Sequence, residues 1–316
     1  MLLQTNIPFT KEKYNPIHYD SKVCLLGSCF SEHIGEKLTY YKFKTFQNPF
    51  GILFHPKSIE NIILKAINQE VYTEEDIFYV NERWHCFGAH SELSHSNKEK
   101  ILENLNASIQ QTHTLLQEAS HIIITLGTAW TYRHIETDTI VANCHKVPQK
   151  QFLKEILSVD EVSASIENCI ALLKSVNPKI TILFTVSPVR HIKDGFVENQ
   201  RSKAHLLAGI HQHISKRDVV HYFPSYELMI DELRDYRFYT DDMLHPNTLA
   251  VNYIWEKFQH AWISHESEQT MEAIATIQKG LAHKPFNPNS EQHQKFLANL
   301  QTKIEQLQQK IPTLKF

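Results

Sequence analysis

The sequence predicts an α/β fold, a three-layer sandwich with helices on both faces of a central parallel sheet. Three observations predict it. Short apolar runs recur along the chain with helix-like stretches between them, the order that crossover connections and parallel strands require. Those runs are continuously apolar, as suits strands covered on both faces. With 316 residues, 42% of them hydrophobic, the chain suits one α/β domain with an appendage.

The strands follow in order. Residues 23–26 form the first and 43–46 the second. Residues 121–126, with Ile122-Ile123-Ile124 at their centre, form the third. Residues 179–186, starting after Pro178, and 219–223 complete the sheet. A helix over 98–117 carries Ile101, Leu105, Ile109 and Leu116 on one face. Ser158-x-x-Glu161 reads as a capping box ahead of Val162, Ile166, Cys169, Ile170 and Leu173, which puts Cys169 in the core. Another helix-like stretch runs through Ile254 and Trp255 after Pro246-Asn247.

Residues 73–92 interrupt this order. Ile77-Phe78-Tyr79-Val80 and Trp84-His85-Cys86-Phe87 flank Asn81-Glu82-Arg83 and predict an inserted β-hairpin, expected at an edge of the sheet, with a lid or rim as the other placement. After His265 the composition changes, dividing the chain into a main domain over 1–265 and a helical extension over 266–316. The extension holds a short helix over 270–280, a turn at Asn287-Pro288-Asn289-Ser290, and a helix striped by Phe296, Leu300, Ile304, Leu307 and Ile311. That stripe must bury itself against the main domain or, in a homo-oligomer, against a second copy.

Composition narrows the function. The net charge is -3, and no lysine- or arginine-rich run is present to follow phosphates, so nucleic acid is not an expected partner. No apolar run approaches the ~20 residues that span a bilayer. The start, Met1-Leu2-Leu3-Gln4-Thr5-Asn6-Ile7-Pro8, lacks the flank and apolar core of a signal peptide, so a soluble cytoplasmic protein is expected. Cys24, Cys29, Cys86, Cys144 and Cys169 make an odd set and read as free thiols. His85-Cys86 and Cys144-His145 lack the paired spacing of a zinc site, so no metal is expected.

Two segments carry chemistry. The run from Val23 to Leu26 breaks at Gly27 into Ser28 and Cys29, two nucleophile-capable side chains at a strand's carboxyl end, where open α/β sheets place ligands. A helix starting near Phe30 would favour negative charge there, lowering the Cys29 pKa and supplying an oxyanion donor. Ser28 competes for the role, since a hydroxyl needs only a base within reach. Late in the chain, Asp242-x-x-His245 puts a carboxylate and an imidazole on one side of a turn. The carboxylate can fix the ring tautomer and leave the other nitrogen as base. A nucleophile and such a pair suggest acyl transfer, with the Cys29 sulfur within about 4 Å of an imidazole nitrogen.

Gly27-Ser28-Cys29-Phe30-Ser31 resembles the motif of the GSCFA family, with Ser31 in place of the final alanine. Leu126-Gly127-Thr128, Asn143-Cys144-His145-Lys146, Ser187-Pro188-Val189-Arg190 and Leu233-Arg234-Asp235-Tyr236-Arg237-Phe238-Tyr239 resemble further family signatures. The family is similar to the SGNH or GDSL hydrolases, flavodoxin-like α/β esterases and acyltransferases. The resemblance implies that fold, and it overlays Cys29 on the nucleophile, Ser28 on a supporting aspartate, and Asp242 and His245 on the terminal Asp-x-x-His.

It also implies an oxyanion hole built from a backbone N–H, matched by Gly51 in Asn48-Pro49-Phe50-Gly51, and from an asparagine in Gly-x-Asn. There the chain reads Gly127-Thr128-Ala129. Alanine cannot donate, and losing such a donor typically costs about 2.7–4 kcal/mol of transition-state stabilisation. Asn48, Thr128 and Asn143 are candidates to substitute. Asn143, His145, Arg190 and Arg237 are candidates to bind an anionic or polyhydroxylated substrate, the arginines through their planar forks, although Arg237 equally suits stacking among Tyr236, Phe238 and Tyr239. The implied activity is a hydrolase or acyltransferase on an ester or thioester, such as an acetylated carbohydrate, with no cofactor. Ala129 motivates the alternative, a non-catalytic carbohydrate- or small-ligand-binding module on the same fold.

Overall fold

The computed structural model describes residues 5–214 and 219–316, so Met1–Gln4 of the N-terminal reading lie outside the described residues. Along the chain, β1 (Lys22–Gly27) leads into α1 (Cys29–Tyr40) and β2 (Lys44–Gln47). Next come α2 (Pro56–Ile67), β3 (Phe78–Val80), β4 (Arg83–His85), α3 (Lys98–Glu118) and β5 (His121–Leu126). Three short strands, β6 (Trp130–His134), β7 (Thr139–Val141) and β8 (Phe152–Ile156), precede α4 (Val159–Val176) and β9 (Thr181–Val186). Then follow α5 (Phe196–Ile214), β10 (Val220–Phe223), the short α6 (Ser225–Glu227), α7 (Thr248–Trp262), α8 (His265–Leu281) and α9 (Glu291–Lys310).

The central sheet has the order β10-β9-β5-β1-β2, and every pairing in it is parallel. This is the flavodoxin-like arrangement, with the order reversing between β1 and β5, the point at whose carboxyl ends such sheets place ligands. Alternate side chains of a strand face opposite ways. Cys24, Leu26, Ile122, Ile124, Ile182 and Phe184 therefore join a core with α2, α3, α4 and α5. Val23, Leu25, Ile123, Leu183 and Phe223 join a second core with α1, α7, α8 and α9. Each such side chain contributes roughly 1.5–3 kcal/mol on burial.

Local signals set the helix starts. The Ser158 hydroxyl accepts from the Glu161 N–H at 3.2 Å while the Glu161 carboxylate accepts from the Ser158 N–H at 2.7 Å. Cys169 lies in the core beneath that helix. At α2, Pro56 occupies the first turn and His55 Nδ1 caps the Ser58 N–H at 3.1 Å.

The hairpin differs from its expected place at a sheet edge. β3 and β4 form a two-stranded sheet of their own, around a two-residue turn in which Asn81 and Glu82 both have positive φ, and Trp84 of β4 also bridges to His95. Phe78 stacks on Phe87 at 4.1 Å, and both pack against Val141 and Phe152 of a separate three-stranded antiparallel sheet, β7-β6-β8. Phe78 and Val80 thus find their apolar partners off the main sheet, while Trp84 packs against the main core. That second sheet has no apolar run to announce it: β6 reads Trp-Thr-Tyr-Arg-His.

The C-terminal helix is docked on its own chain. Leu300, Ile304 and Leu307 are buried in the cluster that contains Ile34, Leu38 and Trp255. A Cβ on Gly280 would lie 2.7 Å from Leu300, so the glycine lets α8 and α9 close together. α8 begins at His265, earlier than expected, because Ser264 caps the Ser267 N–H at 3.2 Å. Among the described residues no helix is long and apolar enough to cross a membrane.

Candidate active site

The end of β1 is shaped by Gly27. Its φ is 137°, and a Cβ there would clash with the Thr125 carbonyl of β5, so only glycine lets the chain turn this close to the neighbouring strand. The Ser28 N–H then donates to Thr125 O at 3.0 Å, and α1 starts directly at Cys29. The two candidate nucleophiles differ in access. Ser28 is 1% exposed and its Oγ is buried without a hydrogen-bond partner, whereas Cys29 is half-buried.

The Cys29 thiol is raised above its ordinary value, contrary to the expectation from the helix start. Burial is the largest cause and Glu32 adds to it; the backbone N–H groups of Cys29 and Phe30, and Lys203, pull the other way without prevailing. Desolvation of the thiolate outweighs the helix dipole here.

Asn48 braces this turn. Its Oδ1 accepts from the Gly27 N–H at 2.9 Å and its Nδ2 donates to Glu32 at 3.4 Å. Gly51, with φ 71°, closes a turn by donating its N–H to Asn48 O at 2.7 Å, and a Cβ on it would strike His90. At the end of β5 the N–H groups of Gly127 and Thr128 both donate to Phe54 O, at 2.7 and 3.2 Å. The Ala129 N–H donates to Ser202 Oγ at 2.7 Å, and the Thr128 hydroxyl is shared with Ser202 at 2.8 Å.

Asn143 Oδ1 accepts from the His145 N–H at 2.8 Å, and among the described residues its Nδ2 makes no hydrogen bond. His145 donates from Nε2 to Cys86 O at 2.7 Å, and burial pushes it down to about 4. It belongs to the packing between hairpin and second sheet.

Asp242 and His245 form a closed unit. His245 Nδ1 donates to Asp242 Oδ2 at 2.6 Å. Asp242 Oδ1 accepts from the Thr240 hydroxyl at 2.6 Å, the Leu244 N–H at 2.8 Å and the His245 N–H at 3.0 Å. These bonds, the Thr240 hydroxyl foremost, hold the carboxyl well below the usual carboxylate range. The ring tautomer follows: with its proton on Nδ1, Nε2 is left as an acceptor. Arg190 fixes the loop from the side of β9, its N–H donating to Leu244 O at 3.1 Å and its guanidinium lying 4.1 Å from the Tyr239 ring centre. Arg237 is exposed, 3.9 Å from Asp235 and 4.9 Å from the Phe238 ring centre.

Two further groups belong to the electrostatic surroundings of Cys29 and His245. Lys203 of α5 is 1% exposed, and its Nζ donates to Gly127 O and to Ser187 O, each at 2.7 Å. Burial pushes it down to about 7, with Cys29 opposing. His191 has a buried Nε2 without a hydrogen-bond partner, 3.0 Å from where a Cβ on Gly127 would lie. Burial first, then Lys203 and His245, push it down to about 3. Among the described residues no hydrogen bond joins Cys29 Sγ to His245, so the expected close approach is not made as one.

This geometry sits inside a recognisable span. The chain matches the GSCFA family over residues 22–258. It belongs to that family. A second match, to the GSCFA domain protein C-terminal domain, covers residues 274–316, which hold the last part of α8 and all of α9. No curated protein matches the chain. A carbohydrate esterase family 3 protein from Talaromyces cellulolyticus is similar at 10% identity, with 81% of this chain and 99% of that one covered and a TM-score of 0.37. An acetyl esterase mutant with acetate ion is similar at 11% identity over the same shares, also with a TM-score of 0.37.

The GSCFA span begins with β1 and ends within α7, so it holds Cys29, His191, Lys203, Asp242 and His245. The signal that points to Lys203 is a break of pattern. Asn199, Ser202 and Lys203 stand on the same helical stripe as Leu206 and Ile210, where apolar residues belong, and all five are buried. Among the described residues no three His, Cys, Asp or Glu side chains are grouped to hold a metal ion.

Proposed function

We propose that this GSCFA protein transfers or hydrolyses a small acyl group through a covalent intermediate on Cys29. The observation that carries the reading is the Asp242–His245 unit, in which a carboxylate held ionised fixes the imidazole at 2.6 Å and frees Nε2 as a base. In this scheme Nε2 takes the thiol proton and Cys29 Sγ attacks the ester carbonyl carbon. The C=O electron pair moves to oxygen, where the first N–H groups of α1 meet it, since they have no helical acceptor of their own. Collapse forms the thioester and expels the alkoxide, which recovers the proton from Nε2. Water or a second alcohol, deprotonated by His245, then releases the acyl group.

The sealed Ser28 hydroxyl supports Cys29 as the attacking group. Gly51 spends its N–H on Asn48, so the free Asn143 Nδ2 is the better candidate for the donor that Ala129 lacks. The family's likeness to SGNH hydrolases supports an ester or thioester of a small acyl group, an acetylated carbohydrate among them, and the exposed Arg237 offers a fork to its polar part. The raised Cys29 thiol and the buried methyl of Ala129 favour the second reading, a binding module without turnover.

Thiol labelling separates the two. Under the enzymatic reading iodoacetamide labels Cys29 faster than the buried Cys86 at neutral pH, and His245→Ala slows that labelling. Equal, slow labelling of both, indifferent to His245, supports the binding module.

A further inference from the structure

Lys203 carries a charge the fold leaves uncompensated. It is buried, and among the described residues no carboxylate pairs with it; its Nζ reaches only the carbonyls of Gly127 and Ser187 and lies 5.5 Å from the Tyr226 ring centre. A buried ammonium without a counter-ion is costly, and an anion formed beside it offsets that cost.

The strand ends locate that anion. Thr125 O points toward β1 and holds the Ser28 N–H at 3.0 Å, while Leu126 O points the other way and holds the Ser187 N–H at 2.8 Å. Gly127 and Ser187 directly follow β5 and β9, so Lys203 Nζ, held by both carbonyls, lies over the carboxyl ends of those strands, and Cys29 follows the end of β1 beside β5.

We propose that Lys203 is a positioning residue whose ammonium is the counter-charge of the Cys29 thiolate while it ties the ends of β5 and β9 together. The inference rests on the reading of Cys29 as nucleophile. Cys29 faces Glu32 on its own helix and Lys203 from α5; Lys203 faces Cys29, His191 and Tyr226, and His191 faces His245 in turn. Ionisation of either member of the pair favours ionisation of the other.

Two measurements on the full chain test this without ester turnover. The pH profile of Cys29 alkylation by iodoacetamide, read by peptide mass, should move to higher pH in Lys203→Met, with labelling slowed on the order of tenfold at neutral pH. The Lys203 ammonium resonance, followed by NMR across the same range, should titrate at lower pH in Cys29→Ala than in the unmutated protein. A folded Lys203→Met with an unchanged alkylation profile overturns the inference. If that variant does not fold, an identical Lys203 titration with and without the Cys29 thiol overturns it. Both shifts in a protein that turns over no ester uphold the pair and count against the esterase reading alone.

Discussion

His245 and Asp242 are joined twice: the imidazole donates from Nδ1 to one carboxylate oxygen at 2.6 Å, and the His245 backbone N–H donates to the other at 3.0 Å. One side chain therefore sets both the tautomer and the loop. Asp242→Asn keeps the bulk but presents an amide that can donate to Nδ1, which favours the wrong tautomer. Acyl-enzyme formation on a small activated ester should fall by about 10²–10⁴-fold with the near-UV circular dichroism unchanged. A loss below about threefold would show that His245 does not need this orienter.

Gly27 tests the turn that presents Cys29. With φ 137° and the Thr125 carbonyl where a Cβ would go, Gly27→Ala should destabilise by about 3 kcal/mol or more in urea unfolding. Gly195 has φ 94° but nothing within 4 Å of its Cβ position, so Gly195→Ala should lose only backbone strain, about 1 kcal/mol. Equal losses at the two sites would contradict the close-approach argument.

Acid should unfold the protein through its buried histidines. Burial lowers His55 from its ordinary 6.5 to about 4, and His55 caps α2 through Nδ1 while donating from Nε2 to Val141 O at 3.1 Å. Above pH 6.5 both states are neutral. As the pH falls the unfolded chain takes the proton first, so this stability is present above 6.5 and is lost as pH falls through about 4. For His55 the loss approaches roughly 3 kcal/mol. Urea midpoints measured across that window should fall steeply in the unmutated protein and less steeply in His55→Asn, which keeps a capping side chain; parallel slopes would remove His55 from the account.

The docked extension can be probed residue by residue. Ile304→Ala and Leu300→Ala remove side chains buried in the core shared with α1 and α7, and each should cost about 2–5 kcal/mol. Leu297, 40% exposed on the same helix, should tolerate alanine within about 0.5 kcal/mol. Indifference at Ile304 would mean that α9 does not hold its place in solution.

Much of this was legible in the sequence because its causes are local. The apolar run of β5, the Ser158–Glu161 capping box and the three-residue spacing of Asp242 and His245 each act within one element. Lys203 was hidden because its partners, Gly127 and Ser187, lie 76 and 16 residues away. β6 was hidden because Trp, Thr, Tyr, Arg and His make a strand only when β7 and β8 supply its pairs. The direction of the Cys29 shift failed for a related reason: a helix start is visible in sequence, whereas the burial and the Glu32 carboxylate that outweigh it appear only after folding.

The most direct measurement is the mass of the intact protein during the first turnover of a small activated acyl ester. The account expects an added acyl group that maps to Cys29, absent from Cys29→Ala and still formed in Ser28→Ala, because the Ser28 hydroxyl is sealed while Cys29 is only half-buried. An adduct on Ser28, or no adduct with a Cys29 that also resists iodoacetamide, would contradict it.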